Sequence, residues 1–343
     1  MQTTNPTTDD GFTAVSCVST RFCMAVGNLV EGSGSAPFAE MWNGSAWSSL
    51  TMPIGGDGTY ESMNGVSCTA VDFCMATAVA PATYDTDAVV TDMWDGTKWS
   101  DVAIAGTTSL AFLSQVSCVS STFCMDVASE DPSATAWQWD GSSWAPASTP
   151  ALATATFSGL SCSSIDFCAM VGVGPNGAVE EDWNGSTWAS MPSAPAVPGG
   201  SVLSSISCPN DTFCLAVGSS RAGGPIFAEE WDGAAWSVTP TTGPLLSTAG
   251  ELTGVSCASR TFCMAVGDGD GLAPAQSFAE QWDGSTWTVS TTAYDPLAEI
   301  SLAGVSCGAV GSCITVGTQQ PPYDPVAALA GDQTIAERFA PPR

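Results

Sequence analysis

The segment FTAVSCVSTRFCMAVGNLVEGSGSAPFAEMWNGSAW, residues 12–47, recurs with variations to the end of the chain. Each copy is marked by two cysteines with five residues between them: Cys17/Cys23, Cys68/Cys74, Cys118/Cys124, Cys162/Cys168, Cys208/Cys214, Cys257/Cys263 and Cys307/Cys313. The first cysteines of successive pairs lie 44 to 51 residues apart. Self-similarity at that period, built from short apolar runs and turn signals, marks a propeller or a related repeat array. FTAVSC and FCMAVG read as strands A and B, rich in small and β-branched residues that suit inner strands packed between neighbours. The Met of the FCM triplets reads as gap-filling core rather than a copper ligand. FAEMW and SAWSSL then flank Asn43-Gly44 as strands C and D, since an Asn-Gly or Asp-Gly pair between strand-like runs is a strong hairpin signal. Equivalent pairs stand at Asp95-Gly96, Asp140-Gly141, Asn184-Gly185, Asp232-Gly233 and Asp283-Gly284. The expected fold is all-β: a seven-bladed β-propeller with four antiparallel strands and one intra-blade disulfide per blade.

The repeats place the blades at residues 11–50, 63–103, 111–148, 156–191, 202–239, 251–290 and 301–340, in one domain over 1–343. Blade seven has LAGVSC, ITVG and IAERF but stops at APPR, with no Trp-bearing strand D. A spare segment, residues 1–10, precedes the first strand A. Residues near 2–8 are therefore expected to supply the outer strand of blade seven and remove a sheet edge.

With 34 acidic and 6 basic residues, the net charge of −28 would repel phosphate backbones and anionic lipid surfaces. Nucleic acid is excluded as a partner on that ground, and no apolar run long enough for membrane insertion is present. Fourteen cysteines in seven identically spaced pairs point to disulfides and an oxidising compartment, so the protein is expected to be secreted or at the cell surface, as a monomer. The rival, zinc ligation, wants four gathered ligands, and the chain has no histidine and no Cys-x-x-Cys. The polar opening after Met1 carries no export signal, which implies a leader removed upstream or a longer parent chain.

If Trp42 and Ser45 flank a two-residue turn, Glu40 faces Trp47, and Phe38, Glu40, Trp42 and Trp47 share one sheet face. The Glu40 position is acidic again as Asp92, Glu181, Glu229, Glu280 and Glu337, with Trp137 the exception. Equivalent carboxylates in equivalent settings do not make a catalytic pair, which needs two different environments. They are expected to accept hydrogen bonds from an indole N–H or a backbone group at the blade interface.

On these segments the chain resembles the secreted bacterial β-propeller repeat proteins. WNGSAW, WDGTKW, WDGSSW, WNGSTW, WDGAAW and WDGSTW look like variants of the Asp-box hairpin of sialidase-like propellers, Ser-x-Asp-x-Gly-x-x-Trp. Here Gly follows Asp or Asn directly, and the Ser position holds Met41, Met93, Gln138, Asp182, Glu230 or Gln281. The resemblance implies the propeller fold and no catalytic residue, for no arginine triad can be assembled from matched positions.

With strands running A to D from the axis outward, the A–B and C–D turns share one face, and the B–C and D–A connections, which carry every insertion, share the other. Variable loops on a rigid scaffold are where binding resides. All four tyrosines fall there, and the candidate ligand-binding set is Tyr60, Tyr84, Asp85, Asp87, Tyr294, Asp295, Tyr323 and Asp324. Aromatic rings stack on the apolar face of a pyranose while carboxylates accept from its hydroxyls; the competing reading is that Tyr-Asp-Pro is ordinary turn chemistry. Asp268-Gly-Asp270-Gly and Asp85-Thr-Asp87 could contribute to a calcium site, yet neither matches an EF-hand loop, and no cofactor or metal site is assigned. Asn43, Asn184 and Asn210 stand in N-glycosylation sequons, the first two within hairpin turns. Three functions compete: a non-catalytic extracellular module binding carbohydrate, another surface polymer or a protein; a glycoside hydrolase or polysaccharide lyase working with carboxylates or Tyr; and a rigid segment of a surface array. Without histidine, Ser-His-Asp hydrolysis and His acid–base catalysis are excluded, while a two-carboxylate mechanism stays allowed.

Overall fold

A computed structural model describes residues 3–4, 10–31, 34–53, 62–83, 86–104, 111–130, 133–148, 155–195, 197, 200–221, 225–241, 249–270, 276–290, 299–320 and 333–339. Blade 1 comprises β1 (Asp10–Ser19), β2 (Phe22–Glu31), β3 (Gly34–Trp42) and β4 (Trp47–Leu50), hydrogen-bonded in that order. Blade 2 repeats it as β5 (Ser62–Ala70), β6 (Phe73–Thr83), β7 (Thr86–Trp94) and β8 (Trp99–Val102), and blade 3 as β9 (Ala111–Ser120), β10 (Phe123–Glu130), β11 (Ser133–Trp139) and β12 (Trp144–Pro146). Blade 4 holds β13 (Thr156–Ser164), β14 (Phe167–Gly174), β15 (Gly177–Trp183) and β16 (Trp188–Ser190); blade 5 holds β17 (Ser201–Asn210), β18 (Phe213–Ser220), β19 (Ile226–Trp231) and β20 (Trp236–Pro240). Blade 6 is β21 (Ala249–Ser259), β22 (Phe262–Asp270), β23 (Gln276–Trp282) and β24 (Trp287–Ser290). Blade 7 has three strands among the described residues, β25 (Glu299–Ala309), β26 (Ser312–Gln320) and β27 (Gln333–Phe339). The expected seven-bladed propeller is the observed fold, and among the described residues no helix is long and apolar enough to cross a membrane.

The A strands surround the axis: β1 touches β25 on one side and β5 on the other, and the same succession runs through β9, β13, β17 and β21. The serine before each first cysteine ties them together. Ser16 Oγ accepts from the backbone N–H of Cys68, Ser67 from Cys118, Ser117 from Cys162, Ser161 from Cys208, Ser207 from Cys257 and Ser256 from Cys307, at 2.9–3.0 Å. Ser306 accepts from Cys17 at 2.9 Å, which closes the ring between blades 7 and 1.

Each blade also carries its expected disulfide between strands A and B: Cys17–Cys23, Cys68–Cys74, Cys118–Cys124, Cys162–Cys168, Cys208–Cys214, Cys257–Cys263 and Cys307–Cys313. The bridged residues are direct partners in the strand register everywhere except blade 5, where the register shifts between Ser207 and Asn210. The two cysteines of a pair are not equivalent. Cys23, Cys74, Cys124, Cys168, Cys214, Cys263 and Cys313, on strand B, are at most 1% exposed and belong to the hydrophobic seams between blades. Apart from Cys208, which is also buried, their strand A partners are half-buried. All fourteen are thus engaged in disulfides as fixed parts of the scaffold. Alternation along strand B sends its cysteine and the Met or Leu after it to opposite faces, so that Cys23 lies in the blade 7/1 seam and Met24 in the blade 1/2 seam.

Burial is organised by seam rather than around one centre. In the blade 7/1 seam, Ile314, Val316 and Ala336 pack against Phe12, Phe38, Trp42 and Trp47, and every other seam repeats the pattern. Met24, Met75, Met125 and Met264 fill these seams at no more than 1% exposure, as the core reading of the FCM triplets requires, and in blade 4 Met170, one place further on, is buried as well. Strand B passes so close to strand A that a Cβ on Gly27, Gly172, Gly218, Gly267 or Gly317 would lie 1.9–2.1 Å from a carbonyl oxygen of strand A. Blades 2 and 3 hold Ala78 and Ala128 there.

The C–D hairpin differs from the expected register. Trp42 pairs with Trp47, Met41 with Ser48 and Glu40 with Ser49, so the corner spans Asn43 to Ala46 instead of two residues. The cause is the Asn43 side chain: its Oδ1 accepts the backbone N–H of Ser45 at 2.9 Å and of Ala46 at 3.0 Å, which rounds the turn through two further residues. Gly44, at φ 95°, occupies the position that only a residue without a Cβ takes cheaply. Because the slip is an even number of residues, Phe38, Glu40, Trp42 and Trp47 keep a common face.

Candidate functional site

The propeller presents two unlike faces. On the short-loop face the corner is built six times with Asn43, Asp95, Asp140, Asn184, Asp232 or Asp283, each accepting two backbone N–H groups through Oδ1. Hydrogen bonds from hydroxyl and N–H donors hold the Asp95, Asp140 and Asp232 carboxyls below the ordinary carboxylate value and Asp283 at about 2. Beside each corner the C-strand tryptophan donates its indole N–H to a carbonyl of the A–B turn, as Trp94 does to Val71 at 3.1 Å and Trp139 to Ser121 at 3.1 Å. These bonds bind the two turns of a blade into one fixed surface. Asn43, Asn184 and Asn210, the sequon asparagines, all spend their side-chain oxygen on such turns.

The repeated carboxylate lies inside the seams. Glu40, Asp92, Glu181, Glu229 and Glu280 are at most 1% exposed, and Glu337 is 9% exposed. Blade 3 restores the missing member from the neighbouring strand, for Asp126, 0% exposed, is the direct partner of Trp137 across β10 and β11. The expected indole donors go elsewhere: the C-strand indoles bond the A–B turns, and the D-strand indoles of Trp47, Trp99, Trp188, Trp236 and Trp287 have no partner among the described residues. Trp144 is the exception, donating to Thr91 Oγ1 of blade 2 at 3.0 Å, where other blades carry Ala39, Ala136 or Ala228. Glu40 accepts the Thr4 backbone N–H at 3.0 Å and the Thr4 hydroxyl, so here a backbone donor serves as expected. Burial still pushes its pKa up. Carboxylates sealed in this way cannot reach a dissolved substrate, and the belt is a structural element.

Thr4 belongs to the segment expected to close blade 7. Its neighbour Thr3 donates through Oγ1 to the carbonyl of Thr334 on β27 at 3.1 Å, which sets this segment between β27 and blade 1.

The opposite face carries the connections that vary, the B–C segments from 175–176 up to 321–332 and the D–A segments from 51–61 to 291–298. Tyr60, Tyr84, Asp85, Tyr294, Asp295, Tyr323 and Asp324 lie outside the described residues. Asp87 lies in β7, opposite Pro81 of β6. Of the acidic pair weighed for calcium, Asp268 is engaged across the blade 6/7 seam, accepting from Ser301 Oγ at 2.7 Å and from the Leu302 N–H at 3.3 Å. Among the described residues no three His, Cys, Asp or Glu side chains gather as a metal site.

No family model matches the chain, and no curated protein matches it. Its fold is similar to that of solved propellers. A structure described as YCF48 bound to D1 peptide superposes with a TM-score of 0.62 at 14% identity, covering 98% of this chain and 93% of the other. A GH74 xyloglucanase from Xanthomonas campestris gives 0.62 at 13% identity, over 95% of this chain and 54% of the other. The SapL1 lectin in complex with alpha methyl fucoside gives 0.54 at 12% identity, over 82% of this chain and 97% of the other. At these identities the likeness extends to the fold alone.

Proposed function

We propose that the protein is an extracellular, non-catalytic binding module that recognises carbohydrate, or another surface polymer, through the face bearing its B–C and D–A connections. The observation that carries this reading is the division of labour between the faces. A–B turns and Asx corners are alike in every blade that has them and consume their own polar groups, whereas insertions are confined to the other end. A rigid ring with one variable face is the architecture on which recognition is commonly mounted. Seven disulfides and the absence of free cysteines among the described residues favour an oxidising compartment, hence secretion or cell-surface display. The corners are read as Asp-box-like because an Asp or Asn oxygen caps a Gly-containing turn ahead of a tryptophan. Lectin, xyloglucanase and peptide-bound propellers among the fold neighbours are compatible with a polymeric ligand. Tyr84, Tyr294 and Tyr323, each followed by aspartate, supply the stacking and hydrogen-bonding chemistry.

A glycan and polysaccharide array, probed with the wild type and with Tyr84→Ala, Tyr294→Ala and Tyr323→Ala, tests the assignment. Binding lost in at least one variant is expected. Binding unaffected in all three would overturn the site, and release of new reducing ends or unsaturated products would replace binding by catalysis.

A further inference from the structure

Position 180 breaks the repeat. Its counterparts on strand C are Ala39, Thr91, Ala136, Ala228, Ala279 and Ala336, so the blade 4/5 seam alone receives a second carboxyl at this level. Glu180 is 2% exposed and Glu229, directed at it from β19, is 1% exposed. The two carboxyl groups are neighbours that interact directly, and the connection that follows β16 is tied to the same residue, the Met191 N–H donating to the Glu180 carbonyl at 2.9 Å. Two carboxyl groups can share a hydrogen bond only if one of them carries a proton. The Oε2 atom of each is buried with no hydrogen-bond donor on it among the described residues. Around them stand Ala169, Val171, Met191, Leu203, Phe227 and Trp236.

The charges near this pair are few. On β15, Glu181 points to the opposite face, while Asp182 shares the face of Glu180 and is itself pushed up by burial. On β19, Glu230 points away and meets Arg260 at 3.4 Å. β14, β16, β17, β18 and β20 bring no titratable group beyond disulfide cysteines. Arg221 lies at the insertion-face end of the seam, with Nη2 on the Gly174 carbonyl at 2.6 Å. Among the described residues no cation acts to keep either carboxyl charged.

We propose that Glu180 and Glu229 form a proton-operated latch between blades 4 and 5, closed while they share one proton and released when it leaves, and that through the bond from Met191 to Glu180 the latch sets the placement of the stretch 191–195 on the insertion face. In the closed state the Glu229 carboxyl donates to the Glu180 carboxylate, and the pair carries one negative charge. On release the proton passes to solvent base, and two carboxylates confront each other in an apolar seam. Burial first, then the Glu180 charge, pushes Glu229 up to about 8. A raised acid of this kind contributes stability that is complete below the ordinary value of 4.5 and is lost as pH climbs through about 8.

The test compares the wild type with Glu229→Gln, whose amide still donates to Glu180 and has no proton to lose. The wild type should lose more thermal stability than the variant between about pH 6 and about pH 9, a comparison that cancels the repulsion of the other acidic groups. Amide exchange in peptides covering 191–195 should rise several-fold over the same interval in the wild type only. An infrared band of a protonated carboxyl, present in the wild type at neutral pH, should be missing from Glu229→Gln. Equal pH slopes in the two proteins, or identical infrared bands, would overturn the proposal. Should Glu229→Gln fail to fold, Glu180→Gln must show a shallower pH slope, and the wild-type band must disappear as pH passes about 8; failure of either is equally decisive.

Discussion

Replacing Ser306 by Ala removes the acceptor that Cys17 uses at 2.9 Å to join blade 7 to blade 1. The Cys17 N–H is part-buried and directed at blade 7, and losing its partner costs about 1–3 kcal/mol. For a chain of 343 residues the unfolding entropy implies about 1.4 °C per kcal/mol, so the midpoint should fall by about 1.5–4 °C. Ser117→Ala provides the internal standard, since Ser117 makes the same 2.9 Å bond to Cys162 between blades 3 and 4. Scanning calorimetry of both variants should give shifts of the same size, because a closed ring has no privileged seam. A silent Ser306→Ala beside a destabilising Ser117→Ala would refute the reasoning: blades 7 and 1 would then not be joined through their inner strands.

Thr91→Val should cost about 1–2 kcal/mol in chemical denaturation, since it deprives Trp144 of its acceptor, yet no more than that, because the partnerless indoles of Trp47 and Trp99 are tolerated in equivalent seams. Gly218→Val should lower soluble yield and the thermal midpoint sharply, for even a bare Cβ would lie 1.9 Å from the Val202 carbonyl oxygen; an unchanged midpoint would contradict the strand A–strand B approach. At the rim, Asp283 is held at about 2 by its hydrogen-bond donors, below the ordinary 3.8, so the stability it contributes is present above 3.8 and is lost as pH falls through about 2. Carboxyl NMR should find that midpoint, and Asp283→Asn should leave the fold intact at neutral pH, as Asn43 and Asn184 do in blades 1 and 4. Deleting residues 1–9 should lower the midpoint by several degrees, because it strips Glu40 of its Thr4 donors and β27 of its contact with Thr3.

The seven blades were legible because one cysteine pair and one glycine corner recur at a nearly fixed period, and a period survives sequence drift that hides single elements. The pairing of the cysteines was legible too, but not their inequality: only the packed seams show that Cys74, Cys124, Cys168, Cys214 and Cys263 are sealed from solvent like Cys23 and Cys313. The corner register was not, since Asn-Gly signals a two-residue turn until the side-chain oxygen is seen accepting from residues two and three places on. The Ser or Thr that follows Gly at Ser45, Thr97, Ser142, Ser186 and Ser285 was the available clue. Ser16 and its six counterparts stood in plain view before each first cysteine, but a serine in a strand announces nothing until the neighbouring blade is placed against it. Asp126 emerged only from the β10–β11 register, which sets it opposite Trp137. Glu180 was hidden for a related reason: adjacent acidic residues in an acidic chain read as surface, whereas strand alternation sends Glu180 and Glu181 into two different seams. For the tyrosines, residue type and loop position point to a face of the ring and carry no information on individual contacts.

The claim that seven like blades are each clasped by their own sulfur bridge is open to direct mass-spectrometric mapping of an unreduced digest. Each first cysteine should be linked to the one six positions later, from Cys17–Cys23 to Cys307–Cys313, with no free thiol. A bridge between cysteines of different blades, or a blade with both thiols free, would contradict it.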